Sequence, residues 1–267
     1  MENKLYHYTS FETFCKIIAS QKIRFNSLSN VDDAEEGHLN DFPSQAPYTF
    51  VSCWTKAHDE KVALWRMYAP DEFSVRIGVD ERIINPKYTR LGFLDNEYTK
   101  YLIAPLNIDG SIKSILRDVE YVDDPSISMV RNIYGLYTPE YIDRYALTKR
   151  KEWAFQSETR YVLQAIPNIA KYPEFKNKQK ISFNDAFFKR LECEPHLFFR
   201  EWIINDFGID IENLDIPFNM NYMKYADILL GPSTTISHEN ILTKFVKSHI
   251  PEYCGCIHRS KIHQRVK

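Results

Sequence analysis

His7 stands in the middle of Leu5-Tyr6-His7-Tyr8-Thr9-Ser10, an apolar-aromatic stretch of strand character. Side chains alternate across a strand, so His7 and Thr9 share one face while Tyr6 and Tyr8 take the other. An imidazole beside a hydroxyl can hold a polar ligand; a lone histidine can equally be a core residue bonded to a backbone carbonyl. Glu158 opens a second strand, Glu158-Thr159-Arg160-Tyr161-Val162, with Arg160 two residues on and on the same face. The plain reading is a salt bridge at a sheet margin, worth little if exposed. The functional reading is a carboxylate held by an arginine and facing a pocket, where it offsets an oxocarbenium-like centre or orients a nucleophile. Trp65 and Tyr68 follow a further strand at helical spacing. Such rings are core more often than platforms, yet a platform there would stack a flat ring such as a base. Asp33 and Glu36, three residues apart, are too few ligands for a cation and read instead as a helix cap or a clamp on Arg24.

The elements that must position these groups follow from periodicity. Phe11, Phe14, Ile17 and Ile18 fall on one face of a helix over 11–21, with Ser10 or Thr9 as its cap. Strands are expected at 22–28, 48–54, 73–80, 159–166, 225–230 and 252–260, from their β-branched and aromatic content. A short helix is expected over 59–68, and another from Thr138-Pro139 to about Glu152, with Thr as cap and Pro at the first position. Ser237 is expected to cap a helix over 239–248. Residues 102–106 and 112–122 each read as one element, and 181–224 are aromatic without a clear period. Strands in clusters with interspersed helices give an α+β class. No internal repeat or low-complexity segment is found, and one domain spanning 1–267 is expected, with an aromatic-rich excursion at about 168–224.

Composition narrows the function classes. The 267 residues carry a formal charge of -2, which gives no global footprint for nucleic acid or anionic membrane. The basic runs Lys149-Arg150-Lys151 and Arg259 to Lys267 read as a solvated loop and a frayed end. Only 8 glycines are present, and neither GxGxxG nor GxxxxGK[ST] occurs, so dinucleotide-fold and P-loop readings lose their main support. The 5 cysteines make neither metal spacing nor an even disulfide framework; Cys254-Gly255-Cys256 is a partial pair that nothing nearby completes, and no metal is expected. No signal peptide or membrane-length apolar run is seen, so a cytoplasmic protein without membrane partners is expected.

Several of these pieces together resemble the bacterial DUF2971 family: Tyr6-His7-Tyr8-Thr9-Ser10, Asn30…Asp33…Glu36, Ser52-Cys53-Trp54-Thr55, Leu64-Trp65…Tyr68, Trp153-Ala154-Phe155…Glu158-Thr159-Arg160, Leu230-Gly231-Pro232 and His258-Arg259-Ser260-Lys261-Ile262. That family is similar to the ADP-ribosyltransferase superfamily, in its His-Tyr-Glu class. The resemblance implies a split β-sheet core and NAD as substrate. It gives His7 the ribose, Tyr68 the stacking role and Glu158 the catalytic one. Tyr8, Thr9 and Trp65 would lie beside the dinucleotide, Thr9 assisting His7, while Arg160 would orient Glu158 or meet a phosphate. The implied activity is cleavage of the nicotinamide–ribose bond and transfer of ADP-ribose to a protein or nucleic acid, in bacterial defence or toxin action, with an antitoxin or defence partner possible. The alternatives are NAD hydrolysis, action on another nucleotide such as a 2′-phosphorylated RNA end, and a non-catalytic nucleotide-binding or sensing module.

Overall fold

The computed structural model describes residues 4–37, 46–84, 101–105, 115–125, 146–167, 209 and 211–262. Strand β1 (Lys4–Ser10) runs directly into helix α1 (Phe11–Ser20), whose first turn is closed by the Ser10 hydroxyl accepting from the Thr13 amide at 3.1 Å. Strands β2 (Lys22–Ser27), β3 (Thr49–Thr55) and β4 (Ser74–Asp80) follow, with the short helix α2 (Val62–Tyr68) between the last two. Next come β5 (Tyr101–Pro105), β6 (Leu116–Asp118), β7 (Glu120–Val122), β8 (Thr148–Arg150) and the long β9 (Glu158–Pro167). The chain ends through β10 (Asn213–Pro217), α3 (Met220–Met223), β11 (Asp227–Leu230), α4 (Ile236–His249) and β12 (Cys256–Arg259). The class is α+β, as expected.

Ten of the described strands form one sheet, and its connectivity makes the cleft. One edge of β3 pairs along its whole length with β9, from Thr49↔Gln164 to Thr55↔Glu158. The other edge is shared. Its start pairs with β2 (Asn26↔Val51, Ser27↔Phe50) and its end touches β1 through Tyr6↔Thr55. Between these contacts β1 and β2 diverge, and among the described residues Ser52, Cys53 and Trp54 have no strand partner on that side. One half of the sheet continues outward through β2 to β10, the other through β1 to β4, β11 and β12.

The two faces are covered differently. Phe14 and Ile18 of α1 and Leu242 and Val246 of α4 bury against Leu5, Phe25, Phe50, Trp54, Ile77, Tyr161 and Leu163 in the main core. The opposite face has two small clusters. Tyr8, Leu64, Trp65 and Ala69 pack together on one side, and Leu28, Val51, Ala146, Leu147 and Val162 on the other. The interval between them is left for polar side chains.

Local differences from the sequence reading have clear causes. The basic run at 149–151 is not a solvated loop. Thr148–Arg150 is a strand parallel to β7, and Lys149 is 3 % exposed. It also ends, from 148 onward, the helix expected to run to Glu152; the start of that helix lies outside the described residues. Of residues 112–122, the described 115–122 carry two short strands rather than one element. Helix α4 starts earlier than expected because Thr235, not Ser237, caps it, in a reciprocal pair with His238. The final strand is only Cys256–Arg259. Of the aromatic stretch at 168–224, residues 168–208 lie outside the described residues. Its end returns as β10, paired antiparallel to β2. No helix among the described residues is long and apolar enough to cross a membrane.

Candidate active site

Register brings distant residues onto one face. Because Thr55 pairs with Glu158 and Cys53 with Arg160, while Thr55 also meets Tyr6, the side chains of Tyr6, Tyr8, Cys53, Thr55, Glu158 and Arg160 share a side of the sheet. They line a cavity of about 290 Å³ at the point where β1 and β2 part. Tyr68 and Leu64 of α2 close it on one side. Arg24, Asn26, Asn30 and Asp32 close it on the other, with Lys149 and Gln156 also contributing.

His7 reaches the same cavity from the gap itself. Its Nδ1 lies 3.0 Å from the Cys53 carbonyl oxygen, part of the β3 edge that no described strand pairs with. A carbonyl can only accept, so this bond places the proton on Nδ1 and leaves Nε2 as an acceptor. The ring rests against Trp54 at 5.0 Å, and burial lowers the imidazole below its usual range, which keeps it neutral at pH 7.

Glu158 is fixed by main chain and side chain alike. The Ser157 residue before it takes a left-handed conformation (φ 46°), and its carbonyl accepts from Thr55 Oγ1 at 2.8 Å. The Glu158 amide donates to the Tyr121 hydroxyl at 2.8 Å, and the Glu158 carbonyl accepts from the Val119 amide at 3.0 Å. Its carboxylate, 6 % exposed, accepts from Lys149 Nζ at 2.8 Å and from Arg160 Nε. Burial pushes such a carboxyl up, but the Arg160 and Lys149 charges outweigh that and hold it at about 2. Lys149 also donates to Gln156 Oε1 at 3.0 Å, and Gln156 Nε2 donates to the Tyr68 hydroxyl at 2.6 Å. One amide thus ties the ring on α2 to the carboxylate on β9. Burial, with the Asp32 and Glu158 carboxylates nearby, raises the Tyr68 phenol, so it stays un-ionised.

Cys53 is exposed within the cavity. Its enclosed position and the adjacent Glu158 carboxylate push the thiol well up. The residue therefore presents a neutral S–H donor beside the carboxylate.

Not every expected residue arrives at the site. His7, Tyr8, Tyr68, Glu158 and Arg160 all line the cavity, whereas Thr9 and Trp65 do not. Thr9 is 5 % exposed, on the face of the strand opposite Tyr8. Trp65 is 2 % exposed, set edge-on to Tyr8 at 4.8 Å with its indole N–H on Glu60 at 3.1 Å, and so is a core ring rather than a platform. Arg160 is fully buried, and its Nε and Nη1 are engaged by Glu158, Glu36 and the Ala146 carbonyl, so it orients Glu158. Glu36 clamps this arginine; Arg24 instead pairs with Asp215 at 2.8 Å. Sequence reasoning missed Lys149, Gln156 and Cys53 as site residues. Cys53 had a usable signal, since it alternates with Val51 and Thr55 on β3; Lys149 was hidden in a run of three cations.

No family model matches the chain, and no curated protein and no solved structure matches it.

Proposed function

We propose that the protein cleaves the nicotinamide–ribose bond of NAD and transfers ADP-ribose to a macromolecular acceptor. The observation that carries this reading is the convergence of His7, Tyr68 and Glu158, from three separate elements, on one cavity in a split sheet. Nicotinamide would stack on the half-exposed Tyr68 ring, and the ribose hydroxyls would donate to His7 Nε2 and Glu158. The cavity lies just under the roughly 300–1,000 Å³ typical of ligand pockets, so it suits the nicotinamide–ribose half, with the rest of NAD toward the opening.

The chemistry asks little of acid–base groups. The C1′–N bond breaks with its electron pair leaving on nicotinamide, which departs neutral, and the ribose carries the positive charge. An acceptor nucleophile then forms the new bond to C1′ and sheds its proton. Glu158 offsets the transient charge, and because Arg160 and Lys149 keep it ionised and fixed, it needs no reorganisation as the charge develops. The two cations use only part of the carboxylate's lone-pair capacity, which leaves room for a ribose hydroxyl.

The same two cations favour a second reading, a nucleotide-binding or sensing module on this fold, since they already neutralise the carboxylate. One experiment separates the two. Purified protein and Glu158→Gln are incubated with adenylate-labelled NAD, with and without cell lysate. Transfer predicts label moving into protein or nucleic acid and a loss of about a hundredfold or more in nicotinamide release for the variant. NAD affinity should change little. Binding without nicotinamide release by the wild type would select the sensing module; equal turnover by Glu158→Gln would remove Glu158 from the reaction.

A further inference from the structure

Four buried side chains from three separate stretches of chain meet behind and beside the cavity floor and alternate in charge around a closed ring. Arg160 pairs with both Glu158 and Glu36, Lys149 pairs with Glu158 at 2.8 Å, and Lys149 lies 3.5 Å from Glu36. The side chains are all 5 % exposed or less. Three members, Lys149, Glu158 and Arg160, line the cavity, and Glu36 does not. The three that line the cavity carry a formal charge of one plus. Only with Glu36 does the ring sum to zero.

We propose that Glu36 is an electrostatic positioning residue: it draws on the two cations from behind, so that Glu158 can present negative charge to the cavity. It touches no ligand and acts through Arg160 and Lys149. Without it, two cations would face one carboxylate, and a developing positive charge on a bound substrate would be repelled rather than stabilised. The proposal rests on reading Glu158 as the carboxylate that meets the substrate, but its charge arithmetic can be checked apart from any reaction.

Cys53 provides the reporter. It lines the same cavity as Glu158 and Arg160 of β9, Lys149 of β8 and Tyr68 of α2, and it is exposed there to small reagents. Alkylation by iodoacetamide as a function of pH, read on the Cys53 peptide by mass spectrometry, measures the potential there. Glu36→Gln leaves the ring at one plus, and the Cys53 midpoint should fall by about one pH unit or more. Lys149→Met leaves it at one minus and should move the midpoint up. The double variant restores neutrality and should return it close to wild type, a compensation that loss of packing would not produce. Since Glu36→Gln leaves two buried cations undercompensated, circular dichroism checks that each sample is folded; if Glu36→Gln is not, Lys149→Met and the double variant decide. A midpoint unmoved in the folded single variants, or moved the same way in both, overturns the proposal.

Turnover supplies the second arm. If the wild type releases nicotinamide, Glu36→Gln should lower kcat about tenfold or more with KM little changed, and the double variant should recover part of that loss. An unchanged kcat in Glu36→Gln overturns the role of Glu36. If the wild type releases none, the transferase reading falls, and the thiol titration alone decides the charge ring.

Discussion

Glu158 keeps its charge in a buried place because two cations outweigh the desolvation that would otherwise protonate it, and that balance has a sign that can be read in stability. Its carboxyl is held at about 2 when folded, against 4.5 for an ordinary glutamate. A group depressed in this way contributes stability that is complete above its unfolded value and is lost as pH falls from about 4.5 toward 2. The share is on the order of 3 kcal/mol. Denaturant titrations of wild type and Glu158→Gln should therefore show a stability gap that is constant near neutrality and narrows below pH 4.5. A gap independent of pH down to 3 would mean that the carboxylate is not engaged by Arg160 and Lys149. At this scale the sequence was informative about which residues mattered and poor about what they touched. His7, Tyr68 and Glu158 stood out by type and position, since polar groups on aromatic strands are unusual. Glu36 was read as a clamp but on the wrong arginine, since its partner Arg160 is far away in the chain, and Lys149 did not stand out, because a basic run looks solvated until its fold is known.

Strand and helix positions were largely legible where one face is apolar. The 3.6-residue spacing of Phe11, Phe14 and Ile18 and the alternation in β4 and β9 follow from burial on the core side. Short pieces defeated the reading: β6, β7 and β8 are three residues each, too brief to show a period. The edge strand β12 illustrates how an element can depend on one small residue. A methyl group on Gly255 would overlap the Ala226 carbonyl oxygen and come 2.8 Å from the Tyr253 ring, while the Gly255 amide donates to the Lys224 carbonyl at 3.1 Å. Gly255→Ala should push the approach to β12 away from β11 and lower stability by roughly 1–3 kcal/mol. Hydrogen exchange should show the added mobility first in the amides of 256–259; protection equal to wild type would show that the backbone accommodates the methyl.

Across the whole molecule, the sheet joins what the chain separates: β1 pairs with β4, β4 with β11, and β2 with β10 near residue 215. Such non-local pairing implies slow, cooperative folding. Trp54 lies on the α1–α4 side and Trp65 on the α2 side. Their fluorescence and the far-ultraviolet circular dichroism should fall in one coincident transition; two separated midpoints would show that the packing on the two faces of the sheet is lost independently. None of this connectivity was visible in the sequence, because periodicity reports which face of a strand is buried and not which strand lies beside it. The Tyr6–Thr55 pairing, the one strand register joining β1 to β3 among the described residues, has a further consequence. The cavity is an interruption of the sheet and not a dent in its surface, so its width is the angle between two ladders. A change in either ladder, even at β10 or β12, shifts the angle at which they meet and can retune the aperture without altering a single residue that lines it.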